Sequence, residues 1–444
     1  MYFVNAIRKG LTIMRGFGLI LCLIFNYVFA KHEFYEGHGL YQVDVIFVEQ
    51  TQYLQELQSK YAIDVWINAH PGRQGQILVP DYLKEKFEEE LKVAGIGYTL
   101  LVENIKEKLD LEDSLLEAAA ARTNRSKSSP GLSFDVIHRY DVVDQYLVDL
   151  ANSYPETVTV VSAGKSVEGR DIKYLKISTT NFQDTRKPVV MLQSLLHARE
   201  WVTLPGTLYA IEKLVIDVTE SDLLQDIDWI ILPIANPDGY EISHTEFRFW
   251  RKNRAPHACM GGVDLNRNFD VFWGIWSSSN PCAEDYRGPY AFSEPETAII
   301  RDILHEYRNR LEVYIDLHSF GSMILFGYGN GQLAPNALTL NFLGVQMAQA
   351  IDAVKWPQNR NYIVGHIPSI LYRASGVSSD YATSVGIPLS YTYELPSYRG
   401  IVGTLQGFLV EPEFIAQAGF ETWQGIKVAA RFAVRNFRSR TTEK

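Results

Sequence analysis

Along the chain, short apolar runs alternate with stretches in which apolar residues recur every three or four positions. The runs LKIST from 175, VVMLQSLL from 189, WIILPIAN from 229, LEVYIDLHS from 311 and PLSYTYELP from 388 predict strands buried on both faces. Between them, TLPGTLYAIEKLVID (203–217) and SEPETAIIRDILHEYRNR (293–310) carry the spacing of amphipathic helices. This alternation predicts an α/β unit from about Phe134 onward: a mixed, mostly parallel central sheet with helices on both faces.

Upstream the pattern changes. YQVDVIFV (41–48) and YAIDVWIN (61–68) predict strands around the helical TQYLQELQS. The helical PDYLKEKFEEELKVAG and another strand, GYTLLVENI, follow, so a small α+β unit precedes the larger one. A charged helical stretch from 106 then dissolves into polar residues around Arg122, Arg125 and Lys127 and a Pro-Gly break. A solvated linker rich in basic residues is a preferred site of proteolytic cutting, and it is expected to be an activation segment opened by a trypsin-like protease. Asn124-Arg125-Ser126 is a formal glycosylation acceptor. At the N-terminus, Arg8, Lys9 and Arg15 precede the apolar GLILCLIFNYVFA, which has the form of a secretory signal cleaved after about Ala30. The expected organisation is a signal peptide at 1–30, a pro-segment with connecting helix and linker at 31–125, and a catalytic unit at 126–444. The expected location is extracellular, with no membrane attachment once the signal is removed.

Composition narrows this picture only slightly. The 444 residues are 46% hydrophobic and 21% charged, and the net charge of -10 speaks against a nucleic-acid partner. Of three cysteines Cys22 leaves with the signal, so Cys259 and Cys282 imply one disulfide.

Candidate chemistry sits where the apolar strands end. VVMLQSLL runs into His197 and Glu200, LEVYIDL ends at His318, and PLSYTY ends at Glu394. Ligands bind outside the carboxyl ends of strands in open α/β sheets, so two imidazoles and two carboxylates would share one edge. Two His and one Glu suit a catalytic zinc site with an open fourth position, leaving Glu394 as a general base for water. Asp264 could orient His197 through its second ring nitrogen. No HExxH and no G-x-S-x-G is present.

HAREW (197–201), FRFWRKNR (247–254), GGVDLNRNFD (261–270), DLHSF (316–320), LYRASGVSSDY (371–381) and YTYEL (391–395) together resemble the motifs of the zinc metallocarboxypeptidases of the pancreatic A/B type. The resemblance runs from about Phe134 to the C-terminus, and the region 35–125 is similar to that family's inhibitory pro-segment. It implies one zinc ion per chain held by His197, Glu200 and His318, with Glu394 as general base and Arg254 polarising the scissile carbonyl. It further implies that Asn266 and Arg267 grip the substrate's terminal carboxylate, helped by Arg199. Tyr372 would close over the substrate, Ser319 would line the cleft, and Cys259 and Cys282 would form the family's disulfide. The pocket position seven residues after Tyr372 is Ser379, where relatives preferring basic residues carry an acid and those preferring apolar ones usually a bulky aliphatic; serine is neither. With Ile367 and Ala374 also neutral, a C-terminal Lys or Arg would be desolvated without a partner.

The expectation is a monomeric, secreted zinc carboxypeptidase zymogen acting on peptide or protein C-termini with neutral or hydrophobic last residues. The alternatives are a preference for basic residues, or a non-catalytic protein that binds C-terminal tails on the same fold. Phe320 stands where many relatives have Tyr, and the segment from Pro396 to Gln406 is a few residues longer than usual.

Overall fold

The computed structural model describes residues 31–61, 63–123, 131–397 and 406–442. The expected signal with Cys22, the linker residues Asn124, Arg125 and Lys127, and most of the lengthened segment 396–406 lie outside them. Among the described residues, no helix is long and apolar enough to cross a membrane.

The first unit is a four-stranded antiparallel sheet built from β1 (Gly39–Asp44), β2 (Asp64–Ile67), β3 (Gly75–Val79) and β4 (Gly97–Val102), ordered β2-β3-β1-β4. Alternation along β1 divides its side chains between two cores. Tyr41 and Val43 pack with Leu54, Leu57, Phe87 and Leu91 beneath the unit's own helices, Val48–Lys60 and Lys84–Val93. Leu40, on the other face, belongs to a cluster shared with the second unit. β3 is absent from the pattern-based reading because GQILV is short and opens on a glycine.

The second unit contains β5 (Val158–Lys165), β6 (Asp171–Ile177), β7 (Val189–Ser194), β8 (Asp228–Leu232), β9 (Leu311–Ser319), β10 (Met323–Phe326), β11 (Ile363–His366) and β12 (Leu389–Leu395). Their order is β11-β10-β12-β9-β7-β8-β6-β5, and the central β12, β9, β7 and β8 are mutually parallel. Every residue of β7, β8 and β9 is buried. Alternate side chains face two cores: Val190, Leu192, Val313 and Ile315 in one, Val189, Met191, Leu311 and Tyr314 in the other. The helices Thr203–Val215, Ala337–Asp352 and Pro412–Thr442 cover the first face, and Pro295–Tyr307 and Ser378–Ser384 the second. The mixed, mostly parallel sheet with helices on both faces is as expected. Four strands escaped the pattern: β3, and β5, β10 and β11, whose edge positions or short lengths leave no continuous apolar run.

A buried ion pair ties the two units together. Glu112, on the connecting helix Ile105–Thr123, accepts from Arg248 Nε at 2.7 Å and Nη2 at 3.1 Å, and from the Val410 amide at 2.7 Å. Arg248 also donates to the Arg199 and Phe408 carbonyls, and its guanidinium lies 3.5 Å from the Trp201 ring centre. Neither charge reaches water. Glu112→Ala leaves Arg248 buried without its counter-charge, which costs about 3–5 kcal/mol. The urea midpoint of the full chain is expected to fall accordingly and to fall less in Glu112→Gln; unchanged midpoints would mean that the pair contributes nothing.

Candidate metal centre

β7 ends at Ser194, and the chain turns through Leu195 at φ 55° before the helix at Thr203. That turn carries His197 and Glu200 to the carboxyl edge of the sheet, where β9 delivers His318. His197 Nδ1 lies 2.8 Å from Glu200 Oε1, His318 Nδ1 lies 3.0 Å from Glu200 Oε2, and the two Nδ1 atoms are 3.0 Å apart. The second nitrogen of each ring faces an aspartate: His197 Nε2 is 3.1 Å from Asp264 Oδ1, and His318 Nε2 is 2.8 Å from Asp316 Oδ2. Each carboxylate holds the ring hydrogen at Nε2 and leaves the Nδ1 lone pair turned inward. Two lone pairs and a carboxylate converging within 4.8 Å repel one another unless a cation sits among them. The donor set, two imidazole nitrogens and a carboxylate, is one that zinc takes. The burial of Glu200 would raise its carboxyl, but His197 and His318 hold it far below its usual range.

Asp264 is the hub of the surrounding charges. Besides His197, it accepts from Arg251 Nε at 3.1 Å and Nη2 at 2.9 Å and from the Asn266 amide at 3.0 Å; Arg267 Nε is 4.0 Å away. Burial pushes this carboxyl up, yet Arg251, Arg267 and His197 together hold it well below the carboxylate range. Arg267 donates to the Asn266 carbonyl at 2.7 Å and to the Tyr372 hydroxyl at 3.1 Å. Asn266 Oδ1 accepts from the Ser378 amide at 2.8 Å. Glu394, beside His318 in the register of β12 and β9, lines the same cleft, and burial raises its carboxyl to about 8, opposed by His318 and reinforced by Glu200. The Ser319 amide donates to Glu200 at 3.1 Å, and its side chain also lines the cleft.

Arg254 is not part of this assembly. Its guanidinium lies 4.8 Å from the Trp250 ring centre, its Nε is 3.5 Å from Glu168, and it does not line the cleft. Arg251, three residues earlier, stands there instead, with Nη1 3.3 Å from His197 Nδ1 and 3.9 Å from Glu200 Oε1. The segment FRFWRKNR offers arginines at 248, 251 and 254, and nothing in their even spacing says which one turns inward. Arg251 and Asp316 are thus functional candidates that sequence reasoning passed over. Asp316 had a usable signal, because residues two apart on a strand share a face.

The cleft encloses about 1610 Å³ and is walled on one side by the first unit. Asp64 receives two contacts from Arg199 Nη1, at 2.9 and 2.7 Å. Trp66 packs against Phe249, Phe320 and Phe408 with ring centres 4.8, 6.5 and 5.2 Å away. Gly407, at φ 70°, admits that indole, since a Cβ there would stand 2.5 Å from it. Arg73 reaches the Ile370 and Leu371 carbonyls just before Tyr372. Further along the cleft Ile367 and Ala374 are buried; Ser379 does not itself line the cleft, and its hydroxyl is hydrogen-bonded at 2.8 Å to Oγ1 of Thr392, which does. A disulfide joins Cys259 to Cys282 with a Cα separation of 5.0 Å.

Comparison with known proteins agrees with this geometry. Residues 143–425 match the family described as zinc carboxypeptidase, and residues 41–112 match the one described as carboxypeptidase activation peptide. Carboxypeptidase B of Helicoverpa zea is 43% identical over 428 residues, covering 95% of this chain and 98% of the relative. Carboxypeptidase A2 of Rattus norvegicus is 31% identical over 419 residues, covering 92% and 96%. The crystal structure of carboxypeptidase A from Helicoverpa armigera superposes with a TM-score of 0.88 at 60% identity, over 91% of this chain and 99% of that one. A buried pair of histidines bridged by a glutamate, at the edge of a sheet capped by a second, smaller sheet, therefore has a family: this chain belongs to the zinc carboxypeptidases and carries their activation peptide.

Proposed function

We propose that the activated enzyme removes single C-terminal residues with neutral or hydrophobic side chains, and that the chain is secreted as a monomeric zymogen opened by a trypsin-like protease near Arg122 or Arg125. The observation that carries the preference is that, among the described residues, no available charge lies around Ser379. Leu325 and Thr392 pair across β10 and β12, the Thr392 and Ser379 hydroxyls satisfy each other, and Ile367, Ala374 and Val377 complete an uncharged wall. The neighbouring acid, Asp380, does not line the cleft: it accepts from the Gly329 amide at 2.7 Å, and burial raises its carboxyl. A lysine or arginine entering here would lose its water shell without gaining a counter-charge.

The roles of the site residues follow from their chemistry. Arg267 and Asn266 receive the terminal carboxylate of the substrate, a task suited to a planar guanidinium. The Tyr372 hydroxyl, which now accepts from Arg267, yields its place to that carboxylate and closes over the bound residue. Zinc held by His197, Glu200 and His318 supplies Lewis acidity to this centre. Arg251, rather than Arg254, donates to the oxygen on which negative charge develops. Glu394 takes a proton from the attacking water and returns it to the leaving amine nitrogen as the C–N bond breaks. In the zymogen, Asp64 engages Arg199 and Trp66 fills the aromatic wall, so the peptide path toward the clamp is occupied until the pro-segment is cut and leaves.

Peptides differing only in a last residue of Phe, Leu, Lys or Glu test the preference after limited trypsin treatment. Release of Phe and Leu is expected, abolished by a chelator and by Glu394→Gln; release of Lys instead would overturn the reading of Ser379. Arg251→Ala is expected to lower kcat roughly 100- to 1000-fold, the usual cost of losing an oxyanion donor. Arg254→Ala should leave kcat close to that of the wild type. The reverse ranking would return the role to Arg254.

A further inference from the structure

Asp316 lies in the middle of β9, where all nine residues are buried, and it is fully shielded from solvent itself. A carboxylate in such a strand is costly unless its oxygens are engaged. Its Oδ2 receives two hydrogen bonds, from His318 Nε2 at 2.8 Å and from the Ser378 hydroxyl. Its Oδ1 makes no hydrogen bond among the described residues. Nearly all the compensation for burying this group therefore runs through His318 and Ser378, which is unexpected of an acid retained only for packing. The neighbours on either side in the sheet are Gln193 of β7 and Thr392 of β12, neither of them charged.

We propose that Asp316 is a positioning residue for the metal centre. It fixes the ring of His318 with hydrogen on Nε2 and the lone pair of Nδ1 turned toward Glu200, as Asp264 does for His197. Ser378 extends the arrangement, because its hydroxyl holds Asp316 while its backbone amide donates to Asn266 Oδ1 at 2.8 Å. The next residue, Ser379, bonds Thr392, two positions before Glu394. The N-terminus of the helix Ser378–Ser384 is thereby stapled to both strands that bear the site, β9 through Asp316 and β12 through Thr392. The inference rests on His318 being a metal ligand, as proposed above.

The test is zinc affinity, measured on the full-length apo zymogen by competition with a chromophoric chelator. Asp316→Ala is expected to weaken zinc binding roughly 10- to 100-fold, the effect usual for losing such a support. Asp316→Asn, which keeps one acceptor, should fall between the wild type and Asp316→Ala, and Ser378→Ala should show a smaller loss. Cobalt(II) in place of zinc should give displaced absorption bands in Asp316→Asn, reporting a changed ligand geometry independently of turnover. A residue retained for stability alone would lower the melting temperature of the apo protein and leave the zinc Kd and cobalt spectrum of the folded molecules unchanged; that result would overturn the proposal. If Asp316→Ala does not fold, Asp316→Asn and Ser378→Ala decide. A wild-type chain that takes up no zinc would instead undo the assignment of His318 as ligand, a distinct outcome.

Discussion

The carboxylate of Asp264 is the constraint on which the site depends. Buried away from water, it is tolerable only because His197, Arg251, Arg267 and the Asn266 amide converge on it. In the proposed mechanism those same partners are a metal ligand, a donor for developing negative charge, and a clamp for the C-terminal carboxylate. One negative charge thus gathers three positively charged or polarisable side chains that would otherwise repel one another, and holds them before any substrate arrives. Such preorganisation is where electrostatic catalysis gains most, because the donors need not be reoriented as charge develops.

The pro-segment exploits the charges left over. Among the described residues, Arg199, which lines the cleft, and Arg248 form no ion pair with a carboxylate of their own unit; Asp64 pairs with one and Glu112 with the other. Trp66 adds an apolar contact on the aromatic wall of Phe249, Phe320 and Phe408. Phe320 serves this packing without needing a hydroxyl. Charge pairing and ring packing act on neighbouring parts of the cleft, so the capping unit holds by two kinds of interaction with different responses to salt.

Much of this was legible because the sheet is parallel at its centre. A strand buried on both faces appears as an unbroken apolar run, and polar residues at its end then stand out, as with His197, Glu200, His318 and Glu394. The charged residues between strands were less legible. Arg248, Arg251 and Arg254 lie at even spacing on an irregular segment, where no periodicity assigns a direction. Their fates depend on partners remote in sequence: Glu112 draws one into the interface, Asp264 draws the second to the metal centre, and Glu168 keeps the third outside. The four unread strands failed for the opposite reason, since short or edge strands carry too few apolar positions to stand out.

Ser379 illustrates how a residue's setting escapes its sequence. Its neutrality is visible in the sequence; its hydrogen bond to Thr392 is not. That bond lies behind the cleft wall, where Thr392 and not Ser379 forms the lining, and it leaves neither hydroxyl without a partner. The helix that carries Ser379 is also fixed through Ser378 to the strand bearing His318. A change at 379 therefore need not remain local. Substituting an acid at 379 would introduce a charge and, by displacing Thr392, disturb the strand that ends at Glu394. Under the proposed preference, specificity and chemistry would meet in two adjacent serines, Ser378 and Ser379, tied to the strands that carry His318 and Glu394.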